Sequence, residues 1–355
     1  MTDLLYSDVE EALRDSVRST LDRFIDDDFV SRIYDDPDTD TSPLWRALVD
    51  QVGLAGLLIP EELGGSGAGP REAATVLEEL GRTSAPVPFL TSAVIATTCL
   101  LRAGDRGILS ELAEGRATAA LLVPWTARRG SWPTGESVIE PVAGAMEADY
   151  FLLPVDSGDG TVSLNLLRRG DVEITQLTSL DMSRPLARVA VRAEGRPLAS
   201  GDAAVEAVDA ALAAGTALMA SEQVGLAREC LQRTVEYTRT RVQFARPIGS
   251  FQAIKHRLAD LYLQVVQAQA AARHAAASLA EDGDEGRIAQ AVAGSWCSDI
   301  AVRAAEEALQ LHGGIAMTWE HWVHTRLKRA KSDQLALGTP DAHRADLASL
   351  VDLTA

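Results

Sequence analysis

Over the first third of the chain, apolar residues recur at helical spacing. Val9, Leu13, Val17, Leu21 and Ile25 fall every four residues and predict an amphipathic helix with one apolar stripe. Leu44, Trp45, Leu48, Val52 and Leu54 continue that period. The run Gly64-Gly65-Ser66-Gly67-Ala68-Gly69-Pro70 breaks it and predicts a loop. Ala74 to Leu80 and Thr91 to Leu101 predict further helices. The pattern then changes. Ala119–Val123, Tyr150–Val155, Val162–Leu167 and Ala187–Val191 are short apolar runs separated by turn formers, with Ser157-Gly158-Asp159-Gly160 a hairpin signal between two of them. From Asp202 onward the chain is Ala-rich and again helical. Ala203 to Val235 predicts one long helix or two, Ala253 to Ala280 another, and Ile288 to Leu311 a third after the polar turn from Glu281 to Gly286. Gly313-Gly314 ends that last helix. The expected fold is mainly α, in three parts: an N-terminal helical domain over 1–116, a small antiparallel β domain over 117–200, and a C-terminal four-helix bundle over 201–355.

Length and charge narrow what this fold does. The 355 residues suffice for two to three domains at roughly 150 residues each, with a substantial core. With 33 basic against 51 acidic side chains, the net charge of −18 argues against nucleic acid as the partner, while leaving room for a local basic patch. Cys99, Cys230 and Cys297 are widely spaced and odd in number, so neither a disulfide framework nor a zinc spacing is expected. The acidic start and the lack of an evident apolar run of roughly 18 residues predict a cytoplasmic protein without a membrane span.

Arg239 to Gln252 (RTRVQFARPIGSFQ) places three arginines in eight residues before a Pro/Gly turn, unusual in so acidic a chain. Arg241 could grip a diphosphate with its two-pronged guanidinium, or simply end a helix in solvent. Gly313-Gly314 after Gln310-Leu311-His312 could let a ligand approach the backbone, or cap a helix. His321 and His324 lie three apart, but no further ligand constellation accompanies them, so no metal is expected. No Gly-x-Ser-x-Gly elbow is present.

Taken in order, these stretches resemble the acyl-CoA dehydrogenase superfamily over essentially the whole chain. Trp45–Gly67 (WRALVDQVGLAGLLIPEELGGSG) is similar to its N-terminal signature, RTRVQFARPIGSFQAIKHRLAD to its flavin-binding segment, and LQLHGGIAMTWEH to its Gln-x-x-Gly-Gly segment, in the Trp-Glu-His form common in actinobacterial members. The resemblance implies FAD between the β domain and the bundle. It implies that Arg241 binds the FAD diphosphate with Phe244 packed nearby, and that Gln310 and the backbone at Gly313 and Gly314 reach the FAD of a neighbouring subunit. Thr339 matches the family's Glu-Gly-Thr threonine, which contacts the flavin nucleotide. It further implies α,β-desaturation of an acyl thioester on CoA or an acyl-carrier protein in lipid or specialised metabolism, an electron-transfer acceptor, and sites shared across a dimer or tetramer.

The chain departs from the family where the chemistry is done. The position of the usual catalytic glutamate is Leu337, and the aromatic before it is Ala336. The second known position of the base falls near Gly215, between Ala214 and Thr216. Leucine and glycine take no proton. Glu222, Asp341, Glu320 and His343 are the nearby ionisable groups. Where the family has Thr-Glu-Pro-x-x-Gly-Ser, this chain has Pro124-Trp125-Thr126-Ala127-Arg128-Arg129-Gly130-Ser131, and Ala245 replaces a family glycine. Three readings follow: a base-lacking subunit of a heteromeric dehydrogenase (a heterotetramer with a related chain), a homodimeric or homotetrameric flavoprotein with altered chemistry such as a relocated base or monooxygenation, or a non-catalytic structural subunit. Ala336 and Leu337 together predict a widened substrate pocket and a bulky acyl group.

Overall fold

The computed structural model describes residues 4–158, 160–280 and 283–353, so the tip residue Asp159 of the expected hairpin and Glu281-Asp282 of the expected polar turn lie outside the described residues. The N-terminal helices are α1 (Asp8–Phe24), α2 (Phe29–Asp35), α3 (Ser42–Val52), α4 (Pro70–Thr83), α5 (Thr97–Arg102) and α6 (Leu109–Ala113). Ser7 begins α1 by accepting from the Glu10 N–H while the Glu10 carboxylate accepts from the Ser7 N–H. A π-helical segment, Phe89–Ala96, runs straight into α5, and every one of its residues is buried.

The middle of the chain forms β1 (Ala119–Leu121), β2 (Val138–Ala143), β3 (Tyr150–Asp156), β4 (Val162–Arg168), β5 (Val172–Gln176), β6 (Leu186–Val191) and β7 (Arg196–Ser200). They make a sheet in the order β1-β3-β4-β7 and a second in the order β2-β6-β5. Every ladder within them is antiparallel except β1–β3, which is parallel because a long excursion through β2 returns the chain beside β1 in the same sense. Alternation divides the first sheet. Phe151, Leu153 and Leu167 meet Ile139, Val142 and Val189 of the second sheet, whereas Leu152, Leu164 and Leu166 join the core of the N-terminal helices.

The C-terminal part comprises α7 (Asp202–Thr240), α8 (Gln252–Ala277), α9 (Asp284–His312), α10 (Val323–Leu335) and α11 (Pro340–Leu350), with the two-residue strands β8 (Val242–Gln243) and β9 (Arg246–Pro247) paired between α7 and α8. The span from Ala203 to Val235 is thus one helix. Its charges are sparse enough that an 18-residue stretch reaches a mean hydropathy of 1.4, contrary to the expectation of no such run, and 72% of that stretch is buried inside the fold. It is the central helix, packed by α4, α8 and α9. The α4–α7 crossing is close because it is made by glycines. A Cβ on Gly81 would stand 1.9 Å from the Glu222 carbonyl, and one on Gly225 would stand 1.9 Å from that of Glu78.

Candidate functional site: an exposed arginine–glycine face and a buried corner at Leu337

The expected site residues separate into two groups. On the outer end of the bundle, Arg241 terminates α7, its N–H donating to the Tyr237 carbonyl at 2.8 Å, and its side chain is exposed. The hairpin that follows turns through Phe244 and Ala245 with φ of 52° and 61°. Ala245 therefore holds the left-handed backbone for which a glycine is better suited, at a cost on the order of 1 kcal/mol. Phe244 is 88% exposed, and the Arg246 guanidinium stacks 4.0 Å from the Phe251 ring. Gln310 is exposed in the last turn of α9, and Gly313 ends that helix at φ 68°. A Cβ at Gly313 or Gly314 would meet nothing within 4 Å, so this backbone is open to an incoming group.

Thr339, Ala336 and Leu337 lie elsewhere, where the bundle faces the β sheets. Thr339 caps α11, its hydroxyl accepting from the Ala342 N–H at 3.2 Å. Ala336 and Leu337 are both buried, which corrects the expectation of a widened pocket. The alanine here leaves no open void, because the loop carrying Trp125 packs directly against this corner. The Leu337 N–H donates to the Trp125 carbonyl at 2.8 Å, and the Trp125 N–H donates to the Pro141 carbonyl at 2.6 Å. Leu337, at φ 52°, points its side chain at Gly215 and Ile95; a Cβ on Gly215 would sit 2.9 Å from Leu337 Cδ1. What remains is a cavity of about 20 Å³ among Thr91, Ile95, Trp125, Leu212 and Leu337. That is room for about one water molecule. No isoalloxazine fits there. Open grooves of about 770 and 790 Å³ lie alongside, the first lined by Arg128, Ser131, Thr216 and His343, but neither is lined by Ala336 or Leu337.

A buried ionic cluster fastens this closure. Arg184, from the loop before β6, donates to Asp333 at 2.5 Å and to both Glu222 oxygens at 2.7 and 2.6 Å, and its guanidinium lies 5.6 Å from the Trp125 ring centre. Arg329 donates to Glu222 at 2.6 Å, to the Ser183 hydroxyl at 2.8 Å and to Asp181, which also accepts from Tyr34. Burial pushes the Glu222 carboxyl up, but the two arginines outweigh it and hold it below its ordinary range. Glu222 is therefore a structural anion, unsuited to accept a substrate proton. Burial, reinforced by the Glu222 charge, carries Asp333 the other way, up to about 7 despite Arg184.

The other candidate groups do not converge on this cleft. Asp341 and Glu320 are exposed, and Asp341 pairs with Arg344 at 2.9 Å. His343 packs its ring against Gly294 and Gly338. His321 faces His312 at 4.9 Å between ring centres while His324 stacks on Trp319 at 4.8 Å. Among the described residues, no group of three or more His, Cys, Asp or Glu could hold a metal. Arg184, Arg329 and Tyr237 escaped the sequence reading. Only Tyr237 carried a local signal, an aromatic one helical turn before Arg241.

Family comparison places the geometry. Residues 7–113 match the acyl-CoA dehydrogenase N-terminal domain and residues 205–351 the acyl-CoA dehydrogenase C-terminal domain. The chain belongs to the acyl-CoA dehydrogenase family. It is 36% identical over 337 residues to acyl-CoA dehydrogenase IpdE2 of Mycolicibacterium smegmatis, covering 94% of this chain and 96% of that protein. To IpdE2 of Mycobacterium tuberculosis it is 38% identical over 306 residues, 84% of this chain and 83% of that protein. Among solved structures it resembles a chain of the ChsE4–ChsE5 complex from M. tuberculosis, with TM-score 0.88 and 28% identity over all of both chains. Butyryl-CoA dehydrogenase of Megasphaera elsdenii shares the fold, at TM-score 0.87, 18% identity and coverage of 99% and 100%. Acyl-CoA dehydrogenases are flavin oxidoreductases with FAD as cofactor. The exposed Arg241 hairpin and the open Gly313-Gly314 backbone thus stand apart from the buried Ala336–Leu337 corner.

Proposed function

We propose that this chain is the base-lacking subunit of a heteromeric, FAD-dependent enzyme that desaturates an acyl thioester of CoA or an acyl-carrier protein. Its part is to complete an FAD site whose cleft and proton-accepting carboxylate belong to a related subunit. One observation carries this reading: Arg241, Gln310 and the Gly313-Gly314 backbone are open to the outside, while the base position is a buried leucine beside a cavity of only about 20 Å³.

The division of labour follows from the residues. Arg241 presents a planar fork of donors that matches diphosphate oxygens with two parallel hydrogen bonds. Phe244, projecting from a hairpin rather than buried, offers a ring face to a partner. The Gln310 amide and the open backbone at Gly313 and Gly314 supply further donors without a side chain in the way. Bound FAD supplies the two-electron oxidant for the acyl Cα–Cβ bond, its electrons leaving to an electron-transfer acceptor. With Leu337 at the base position, the α-proton must be taken by a carboxylate of the related subunit. The size of the acyl group is then set in that subunit's pocket rather than by Ala336 here.

Two further observations support assembly. Tyr262 and Leu263 on α8 are 62% and 58% exposed, and Met317 beside the glycine loop is 79% exposed, more apolar surface than an isolated bundle end needs. The likeness to ChsE4–ChsE5, a complex of two named components, supports a related chain as the partner. The test is purification of the chain alone and co-purified with a related subunit that retains a carboxylate base. The chain alone should be colourless, and the pair should carry flavin absorbance that bleaches anaerobically with an acyl thioester. A yellow chain that bleaches alone would overturn the reading.

A further inference from the structure

Resting on the half-site reading above, we infer that Tyr237 is a positioning residue: through its ring and backbone it fixes the Arg241 turn and the Gly313-Gly314 loop at the spacing one nucleotide requires. The two nucleotide-facing segments are 72 residues apart in sequence and belong to different helices. Tyr237 touches both. Its carbonyl accepts from the Arg241 N–H at 2.8 Å, holding the last turn of α7 closed so that the arginine leaves the helix in a fixed direction. Its ring stacks on the His312 imidazole, with centres 4.2 Å apart and planes 22° apart, and its hydroxyl donates to the His312 carbonyl at 3.3 Å. His312 immediately precedes Gly313.

His312 is in turn fixed from three other directions. Its Nδ1 lies 2.8 Å from the Ala308 carbonyl, the Trp322 ring meets it edge-on at 5.7 Å, and His321 meets it at 4.9 Å. Arg233, one turn before Tyr237, stacks 4.4 Å from the Trp322 ring. Burial keeps both imidazoles below their ordinary pKa, His321 down to about 4, so the stack is uncharged at neutral pH. The loop it supports is made of glycines with open space around them, which on their own would not hold a donor array in place. Preorganisation must come from beneath, and the Tyr237–His312 stack is the contact there that also reaches Arg241.

The experiment is an FAD titration of the flavin-depleted complex with the related subunit, by flavin fluorescence, on Tyr237→Leu, Tyr237→Phe, His312→Leu and Arg241→Ala. Tyr237→Leu and His312→Leu should each weaken FAD about tenfold, the scale of a lost aromatic pair, while Tyr237→Phe, which keeps the ring, stays within about twofold of wild type. Thioester KM of the FAD-saturated complex and its assembly should be unchanged in all three, and amide exchange should quicken at 313–317 in the two leucine variants. Wild-type FAD affinity in the leucine variants, or a loss in Tyr237→Phe as large as in Tyr237→Leu, would overturn the inference. Should Tyr237→Leu fail to fold, His312→Leu carries the same test from the other side of the stack. Arg241→Ala separates the two levels: if it leaves FAD affinity unchanged the half-site reading fails, and if it alone weakens FAD only the role of Tyr237 fails.

Discussion

Replacing Leu337 tests whether the cleft is closed or merely lacks its base. In Leu337→Ala three buried carbons disappear from contact with Ile95 and Gly215. At about 0.8 kcal/mol each, their transfer accounts for about 2.4 kcal/mol, and the void they leave brings the expected loss to about 3–5 kcal/mol. Leu337 sits at φ 52°, but alanine bears the same left-handed strain, so that cost cancels. The measurement is urea unfolding of the two proteins followed by tryptophan fluorescence. A loss below about 1 kcal/mol would mean that the side chain faces an open pocket, and the closed-cleft account would fail. Leu337→Glu sharpens the point. A carboxyl placed among Ile95, Leu212 and Trp125 enters an apolar lining, so it should be protonated and destabilising, and should create no thioester-dependent dye reduction in the chain alone. Turnover by that variant without a partner would refute the same reasoning.

Other consequences are independent of that cleft. Arg241→Ala should abolish flavin capture by the complex yet shift thermal unfolding of the chain by no more than about 0.5 kcal/mol equivalent, since the side chain is exposed; a large loss of stability would show a structural role instead. Glu10 has an ordinary value of 4.5, which burial raises, but hydrogen bonds from Arg273 and Arg71 and from the Ser7 N–H outweigh that and hold it at about 2. Its contribution, up to about 3 kcal/mol, is present above pH 4.5 and lost as pH falls toward 2. Acid unfolding of Glu10→Gln should lack that component, and an unchanged acid limb would contradict it. Gly225→Ala should cost at least about 1–3 kcal/mol, because its Cβ would meet the Glu78 carbonyl at 1.9 Å; neutral behaviour in thermal unfolding would mean that α4 and α7 separate easily.

The order of helices, sheets and bundle could be read from the sequence because each element carries a local pattern: period four in α1, short apolar runs between turn formers in β3 and β4, alanine-rich stretches in α7 to α9. The Arg241 turn and the double glycine were legible for the same reason, being local departures from composition. The closed cleft was not. It rests on one backbone hydrogen bond between Leu337 and Trp125, 212 residues apart, and on Arg184 reaching Glu222 and Asp333, which no spacing rule encodes. Ala336 illustrates the limit: a small residue in place of an aromatic predicts space only if nothing else fills it, and here the corner beside the Trp125 loop is buried. Tyr237 offered only a weak signal, an aromatic one turn before Arg241, and its link to His312, 75 residues on, has no local trace.

The central claim is best measured as flavin stoichiometry in the purified complex with a related subunit: FAD released by denaturation, counted against both chains. One FAD for every two chains, with none retained by this chain alone, is the predicted result. One FAD per chain would mean that this subunit houses a flavin ring of its own and would contradict the account.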